Sequence, residues 1–381
     1  MKRLARVLLA SAGLISVAAA PVQPSIGPGY QPQDRDERGL WMQADEYERQ
    51  VAHSNFVIRD PALNSYVRSV FCRTVGEIEC KDVRIYLMRS PIFNSAMAPN
   101  GMVQVWSGLF LRVRDEAQLA AVLGHEYEHY HHQHSLRFLR DLKKKTDAIA
   151  WLGFVPFGFI VQIGVAGTIF SYTRDMEREA DAGSVSLLAG AGYDTSAASR
   201  IWEQVRAEMD ATATARGSKS RKDKDRGMFQ THPPTAERMT ELAALATKQH
   251  GATITRNEAA YQAALEPWWP AFVDDQIKLN DFGGTELLLA EIARNGWTGP
   301  LLFARAELYR SRGHPDDLVK AAGFYRDAIG SGNYPVEAFR GLGLALLRSG
   351  STAEGRAALN NYLNRKPDAS DRTMIAALTE G

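Results

Sequence analysis

Residues 125–129 read His125-Glu126-Tyr127-Glu128-His129, an HExxH arrangement, and this pentapeptide restricts the fold more than any other feature of the chain. On a helix of 3.6 residues per turn, side chains four apart lie one above the other, so both imidazoles can reach one metal ion at about 2.0–2.1 Å. Glu126 then sits beside them, placed to take a proton from an attacking water. A helix is indicated here independently. Asp115 with Gln118 makes a capping-box-like start, and Leu119, Val122 and Leu123 share a face. His131, His132 and His134 follow closely but are displaced around that helix, which predicts exposed or supporting positions rather than ligands.

Two imidazoles do not complete a hydrolytic zinc site, which needs a third protein ligand and an open position. A later segment therefore has to return to this helix. The best candidate is Met176 to Asp181, where Glu177 and Asp181 share a helix face by their separation of four. Glu177 suits a ligand, and Asp181 suits the acceptor that fixes the tautomer of a ligand histidine. Glu179 points about 200° away from Glu177, so only one of the two can serve, and spacing alone leaves the choice open. Between the two motifs lies an apolar stretch, Ala148 to Phe170, preceded by Lys143-Lys144-Lys145. Its length suits a membrane span, yet a single crossing would put ligands of one ion on opposite sides of a bilayer. The reading that satisfies both observations extends the HExxH helix to about Lys145. The apolar segment then returns as a packed, bent or peripherally membrane-touching element around Pro156 and Gly158.

Four signals occur in order: Asn94-Ser95-Ala96-Met97-Ala98-Pro99-Asn100-Gly101, the HExxH pentapeptide, Arg174-Asp175-Met176-Glu177-Arg178-Glu179-Ala180-Asp181, and His232-Pro233 with Arg238. Together they resemble the gluzincin peptidases that include HtpX, the CAAX-prenyl endopeptidases and the periplasmic BepA-like proteins. The resemblance spans roughly residues 40–245. It implies one zinc ion held by His125, His129 and Glu177, with Asp181 behind them and Glu126 as general base and then acid. It also implies that Asn94, Ser95, Ala96, Met97 and Ala98 form an edge strand along which an extended substrate pairs. Ser95, Ala96 and Asn100 depart from the family pattern in that groove. His232 and Arg238 are candidate donors to a tetrahedral oxyanion. Because a polar stretch precedes it, His232 is equally a candidate for an inhibitory fourth ligand.

The fold class that follows is α+β and mostly helical: a catalytic domain over residues 21–250 with a small sheet, then a helical repeat domain over residues 251–381. Val83, Ile85 and Leu87 alternate as a half-buried strand. Met102 to Trp106 is a second strand after the turn Pro99-Asn100-Gly101, and Phe93 to Ala98 is its hairpin arm. Residues 210–231 are polar and small, which predicts a loop that acts as a lid or is a plain insertion. Phe339, Leu342, Gly343, Leu346, Gly355, Leu359, Tyr362 and Pro367 fall at tetratricopeptide offsets. An upstream unit with Ala306, Tyr309, Ala321, Tyr325 and Ala328 fits if its loop at Gly313-His314-Pro315 is about three residues longer, and Leu287 to Ala293 suits an earlier unit. Such repeats suit a protein partner, and the BepA-like resemblance points to envelope assembly machinery.

At the start, Lys2, Arg3 and Arg6 precede the apolar run Val7 to Val17 and the small exit Ala18-Ala19-Ala20. That order predicts a secretory signal over residues 1–20, with an uncleaved anchor helix as the alternative, then a mobile leader over residues 21–35. Losing the signal takes 45 basic residues to 42 against 44 acidic ones, a net charge near −2, so nucleic acid is not an expected partner. Export suits pairing of Cys72 with Cys80, two buried free thiols being the alternative. The expected location is the periplasm and the expected substrate a protein or peptide. The rival readings are a repeat scaffold with secondary proteolysis and a membrane-embedded endopeptidase.

Overall fold

Short polar side chains start the N-terminal helices. In this computed structural model, which describes residues 26–145, 172–220, 235–249 and 254–380, Asp34 caps α1 (Arg35–Ala52) and Asp60, followed by Pro61, caps α2 (Pro61–Val75). Three strands follow, β1 (Arg84–Met88), β2 (Ser95–Met97) and β3 (Met102–Trp106), in the order β1-β3-β2. β1 runs parallel to β3, with Arg84 opposite Met102, whereas β2 is antiparallel to it, with Ser95 opposite Val105. The hairpin and the edge position of the Asn94–Ala98 arm are thus as expected. Gly101, at φ 87°, makes the turn, and Asn100 is held by Asp45 and Glu48 of α1.

The short α3 (Ser107–Phe110) leads into α4 (Glu116–His131), whose cap Asp115 accepts from the Gln118 amide while Gln118 accepts from the Arg114 amide. The HExxH helix does not run on to Lys145. It stops at His131, Gln133 takes the left-handed conformation at φ 53°, and α5 (His134–Lys145) starts in a new direction. The break is held by Gln133 donating to the Tyr30 hydroxyl. A second correction concerns the leader, of which residues 26–34 are docked rather than loose. Ile26 is buried and its amide donates to the His131 carbonyl, while the Tyr30 hydroxyl donates to Glu37.

Then come α6 (Arg174–Gly190), α7 (Ala197–Ala215) and α8 (Ala236–Lys248). Residues 210–215, read as loop, are the last turns of α7. Their small side chains are a close-packing face: a Cβ on Gly283 would overlap Ala215, and Thr212 donates to Asp281. The remaining helices are α9 (Glu258–Leu265), α10 (Trp269–Ile277), α11 (Phe282–Ile292), α12 (Gly299–Arg312), α13 (Pro315–Gly330), α14 (Glu337–Arg348), α15 (Thr352–Arg365) and α16 (Arg372–Glu380). α12 packs on α13 and α14 on α15, as paired repeats would. The loop at Gly313-His314 is not longer than its counterpart: two residues separate α12 from α13, against three, Ser349 to Ser351, between α14 and α15. Without an insertion, Leu318, Ala322 and Tyr325 take the places of Gly355, Leu359 and Tyr362. All three are buried.

One apolar cluster joins residues from both sides of the expected domain boundary: Phe110, Leu119 and Trp202 share it with Tyr261, Trp269, Phe272, Leu289 and Leu308. Cys72 and Cys80 are disulfide-bonded, with Cα atoms 5.1 Å apart. The expected signal, the apolar stretch 148–170 and His232 lie outside the described residues. No helix among the described residues is long and apolar enough to cross a membrane.

Candidate metal centre

Ala120, Ala121 and Leu123 favour helix and bury one flank of α4, which carries His125 and His129 into the interior. α6 is brought against α4 by small residues. A Cβ on Gly183 would overlap the Glu128 carboxylate, and one on Gly124 would sit 3.4 Å from Ser184 Oγ. Thr173 caps α6, so Glu177 falls in its first turn, where the helix dipole favours a carboxylate.

The result is convergence. His125 Nε2 and His129 Nε2 are 3.0 Å apart, and the Glu177 carboxylate lies 3.5 Å from His129 Nε2 and 3.6 Å from His125 Nε2. Ligands bonded to one tetrahedral zinc stand about 3.3 Å from one another, so these spacings suit such an ion. One ligand atom from each of the three residues lies within 4.8 Å of the others. Glu179 faces elsewhere, towards His134, His132 and Arg137. Asp181 is where the helix face predicts, its Oδ1 2.9 Å from His125 Nδ1.

Arg238 enters from α8 and binds Asp181 with two bonds of 2.7 and 2.8 Å. It also reaches Glu177 at 3.3 Å, and its guanidinium lies 4.4 Å from the centre of the Trp202 ring. Burial works to raise the Asp181 pKa, but Arg238 and His125 outweigh it and hold the carboxyl below its ordinary 3.8. Burial would lower the Arg238 pKa, and Asp181 and Glu177 reverse that. Three carboxyl groups, Glu126, Glu177 and Asp181, face the single guanidinium of Arg238 in a buried site, all four residues being less than 9% exposed. Uncompensated buried charge is costly, and a divalent cation at the convergence point neutralises it. Donor set, spacing and charge all fit zinc.

His125, Glu126, Asp181 and Arg238 open onto a cleft of about 530 Å³, its solvent-filled mouth included, walled on its apolar side by Phe93, Val122, Ile201, Trp202 and Leu242. Asn94 and Ser95 line it as well. The Trp106 amide donates to the Asn94 carbonyl and the Ala98 amide to the Met102 carbonyl, so the arm is paired with β3 on one side only. Ala96 is half-buried, while Met97 and Ala98 turn inward. Sequence reasoning missed Trp202, Gly183 and Tyr172, whose ring stacks on His129 at 4.1 Å with 17° between planes. It also understated His134, which is fully buried with Nδ1 2.7 Å from His129 Nδ1. A continuous helix would have carried His134 about 140° away, and nothing in the spacing announced the break at Gln133.

A helix-borne HExxH pair, a carboxylate from a second helix and an edge strand beside them define a metallopeptidase domain. Residues 61–246 match the family described as Peptidase family M48. The chain is similar to the "Beta-barrel assembly-enhancing protease" of Escherichia coli strain K12, 28% identical over 42% of this chain and 36% of that protein. It is similar also to the "Mitochondrial metalloendopeptidase OMA1" of Schizosaccharomyces pombe, 27% identical over 46% of this chain and 51% of the relative. With the "Metalloendopeptidase OMA1, mitochondrial" of Bos taurus the identity is 32%, over 32% of this chain and 26% of the relative. The matches thus span between about a quarter and a half of these relatives' lengths.

Proposed function

We propose that the protein is a zinc-dependent endopeptidase with His125, His129 and Glu177 as the ligands. The observation that carries this reading is the buried convergence of three ligand atoms beside a cavity open to substrate. Bound zinc supplies a Lewis acid that polarises a carbonyl and makes water a better nucleophile near neutral pH. The chain's own groups do the rest. Glu126 takes the proton of the attacking water and returns it to the leaving amine, the work of one carboxylate as base and then acid. Arg238 keeps Asp181 ionised, and Asp181 keeps the His125 proton on Nδ1 so that Nε2 presents its lone pair. Arg238 lines the cavity beside Glu126 and is our candidate donor to a developing oxyanion, although Asp181 and Glu177 already engage its guanidinium in the resting site.

An extended peptide would add along the open side of β2, and an apolar side chain next to the scissile bond would enter the cavity against Trp202 and Ile201. Cleavage of envelope proteins in the periplasm, with the helical repeats holding a partner or substrate, is the wider role we infer. It is supported by the export-type start of the sequence and by relatives named for β-barrel assembly.

The test is metal analysis with casein cleavage on the protein and its Glu126→Gln variant. About one zinc per chain in both, with cleavage at least 100-fold slower in the variant, is the expected result. Equal cleavage by the two proteins, or no zinc in either, refutes it.

A further inference from the structure

The two histidines of the centre are braced differently, although they come from one helix and face one point. His125 meets the Asp181 carboxylate directly, whereas His129 meets another imidazole, His134 Nδ1, at 2.7 Å. The far nitrogen of that imidazole lies 3.0 Å from Glu179 Oε2, and the same oxygen takes Arg137 Nη1 at 2.6 Å. Nδ1 against Nδ1 at this distance needs one proton between them, and the partners at each end decide where it lies. Glu179 only accepts, so His134 carries its hydrogen on Nε2 and offers Nδ1 as an acceptor. His129 must then be the donor through Nδ1, which leaves its Nε2 lone pair aimed at the convergence point. The opposite arrangement sets a bare nitrogen against a carboxylate and a hydrogen where the metal should bind.

The geometry points to His134 and Glu179 as positioning residues that hold His129 in the metal-binding tautomer through a relay of two imidazoles and one carboxylate. This rests on the zinc reading of the site. The break at Gln133 brings His134 beneath His129, and Tyr172 fixes the ring's face while its hydroxyl lies 2.9 Å from Ser135 Oγ. His129 is therefore gripped at its edge and on its face, and His134, fully buried, has no other described role in the site.

Zinc affinity of the chelator-stripped protein, measured by competition with a chromophoric chelator, tests the relay. His134→Phe keeps a buried ring of similar size but removes the acceptor. Affinity should fall 10- to 100-fold while thermal unfolding of the stripped protein stays within a few degrees of the parent. Glu179→Gln keeps an acceptor and should stay near the parent, Glu179→Leu should weaken zinc, and the double change with His134→Phe should be no worse than His134→Phe alone. Parent-like zinc binding by His134→Phe, or losses that simply add in the double variant, overturns the proposal. Should His134→Phe not fold, nitrogen-15 spectra of the parent decide: His134 carrying hydrogen on Nε2 and His129 on Nδ1 supports the relay, and the reverse sinks it. Failure of the parent itself to bind zinc instead removes the metal reading on which the relay rests.

Discussion

Asp181 does two jobs from one carboxylate, facing the His125 ring and pairing Arg238, and its pKa consequently lies below the ordinary 3.8. A carboxylate depressed in the folded state contributes stability that is complete above its unfolded value and disappears as pH falls through the folded one. Asp181→Asn should therefore cost about 3 kcal/mol in urea unfolding of the zinc-free protein at pH 7, because Arg238 is left buried with a poorer partner. The gap to the parent should narrow only below pH 3.8; a gap that closes between pH 5 and 7 would assign the effect to another group. At this scale the sequence was most informative. The four-residue spacings put His125 above His129 and Glu177 beside Asp181 correctly, since both pairs sit on unbroken helix. Spacing left Glu177 and Glu179 open because it cannot say which face of α6 meets α4; packing answers that.

Between elements, distances are governed by side chains too small to register as motifs. Gly183 lets α6 approach Glu128 on α4, and any Cβ there meets that carboxylate. Gly183→Ala should destabilise by about 1–3 kcal/mol and also weaken zinc, because moving α6 withdraws Glu177 from the two imidazoles. Gly283→Leu, at the contact of α11 with the Ala211 to Ala215 turns of α7, should lower the melting temperature comparably. It should leave zinc affinity of the folded protein unchanged, as that contact lies outside the site. Metal titration beside calorimetry separates the two outcomes. The same small residues explain why residues 210–215 read as loop. Alanine and threonine runs look like loop by polarity, and only a partner helix bearing Gly283 and Gly284 shows them to be an interface.

Across the whole molecule, the helices after residue 250 contribute to the core that surrounds α3, α4 and α7. Phe272 stacks on Phe110, the Tyr261 hydroxyl donates to the Phe110 carbonyl, and the buried Arg112 pairs with Glu208 while reaching Gln276. Full burial of a large apolar side chain stabilises by about 1.5–3 kcal/mol, so removing Tyr261, Trp269, Phe272 and Leu289 together rivals the net stability of a domain. A chain ending at residue 250 should accordingly be insoluble or melt at least about 10 °C lower, whereas one ending at residue 333, with the α12 and α13 pair retained, should still unfold cooperatively in calorimetry. A well-folded, zinc-binding chain ending at residue 250 would show that the shared core is dispensable.

What the sequence determined by itself was everything set by periodicity and local chemistry: the helical HExxH face, the turn at Gly101, the cap at Asp115 and the helical character of the chain beyond residue 254. The tertiary structure decided which face of α6 meets α4, the turn of His134 back under His129, the seating of Ile26 and the sharing of one core by helices on both sides of the expected domain boundary. Those depend on contacts between residues far apart in the chain, where a single left-handed residue or a missing Cβ redirects an element without disturbing any pattern along it.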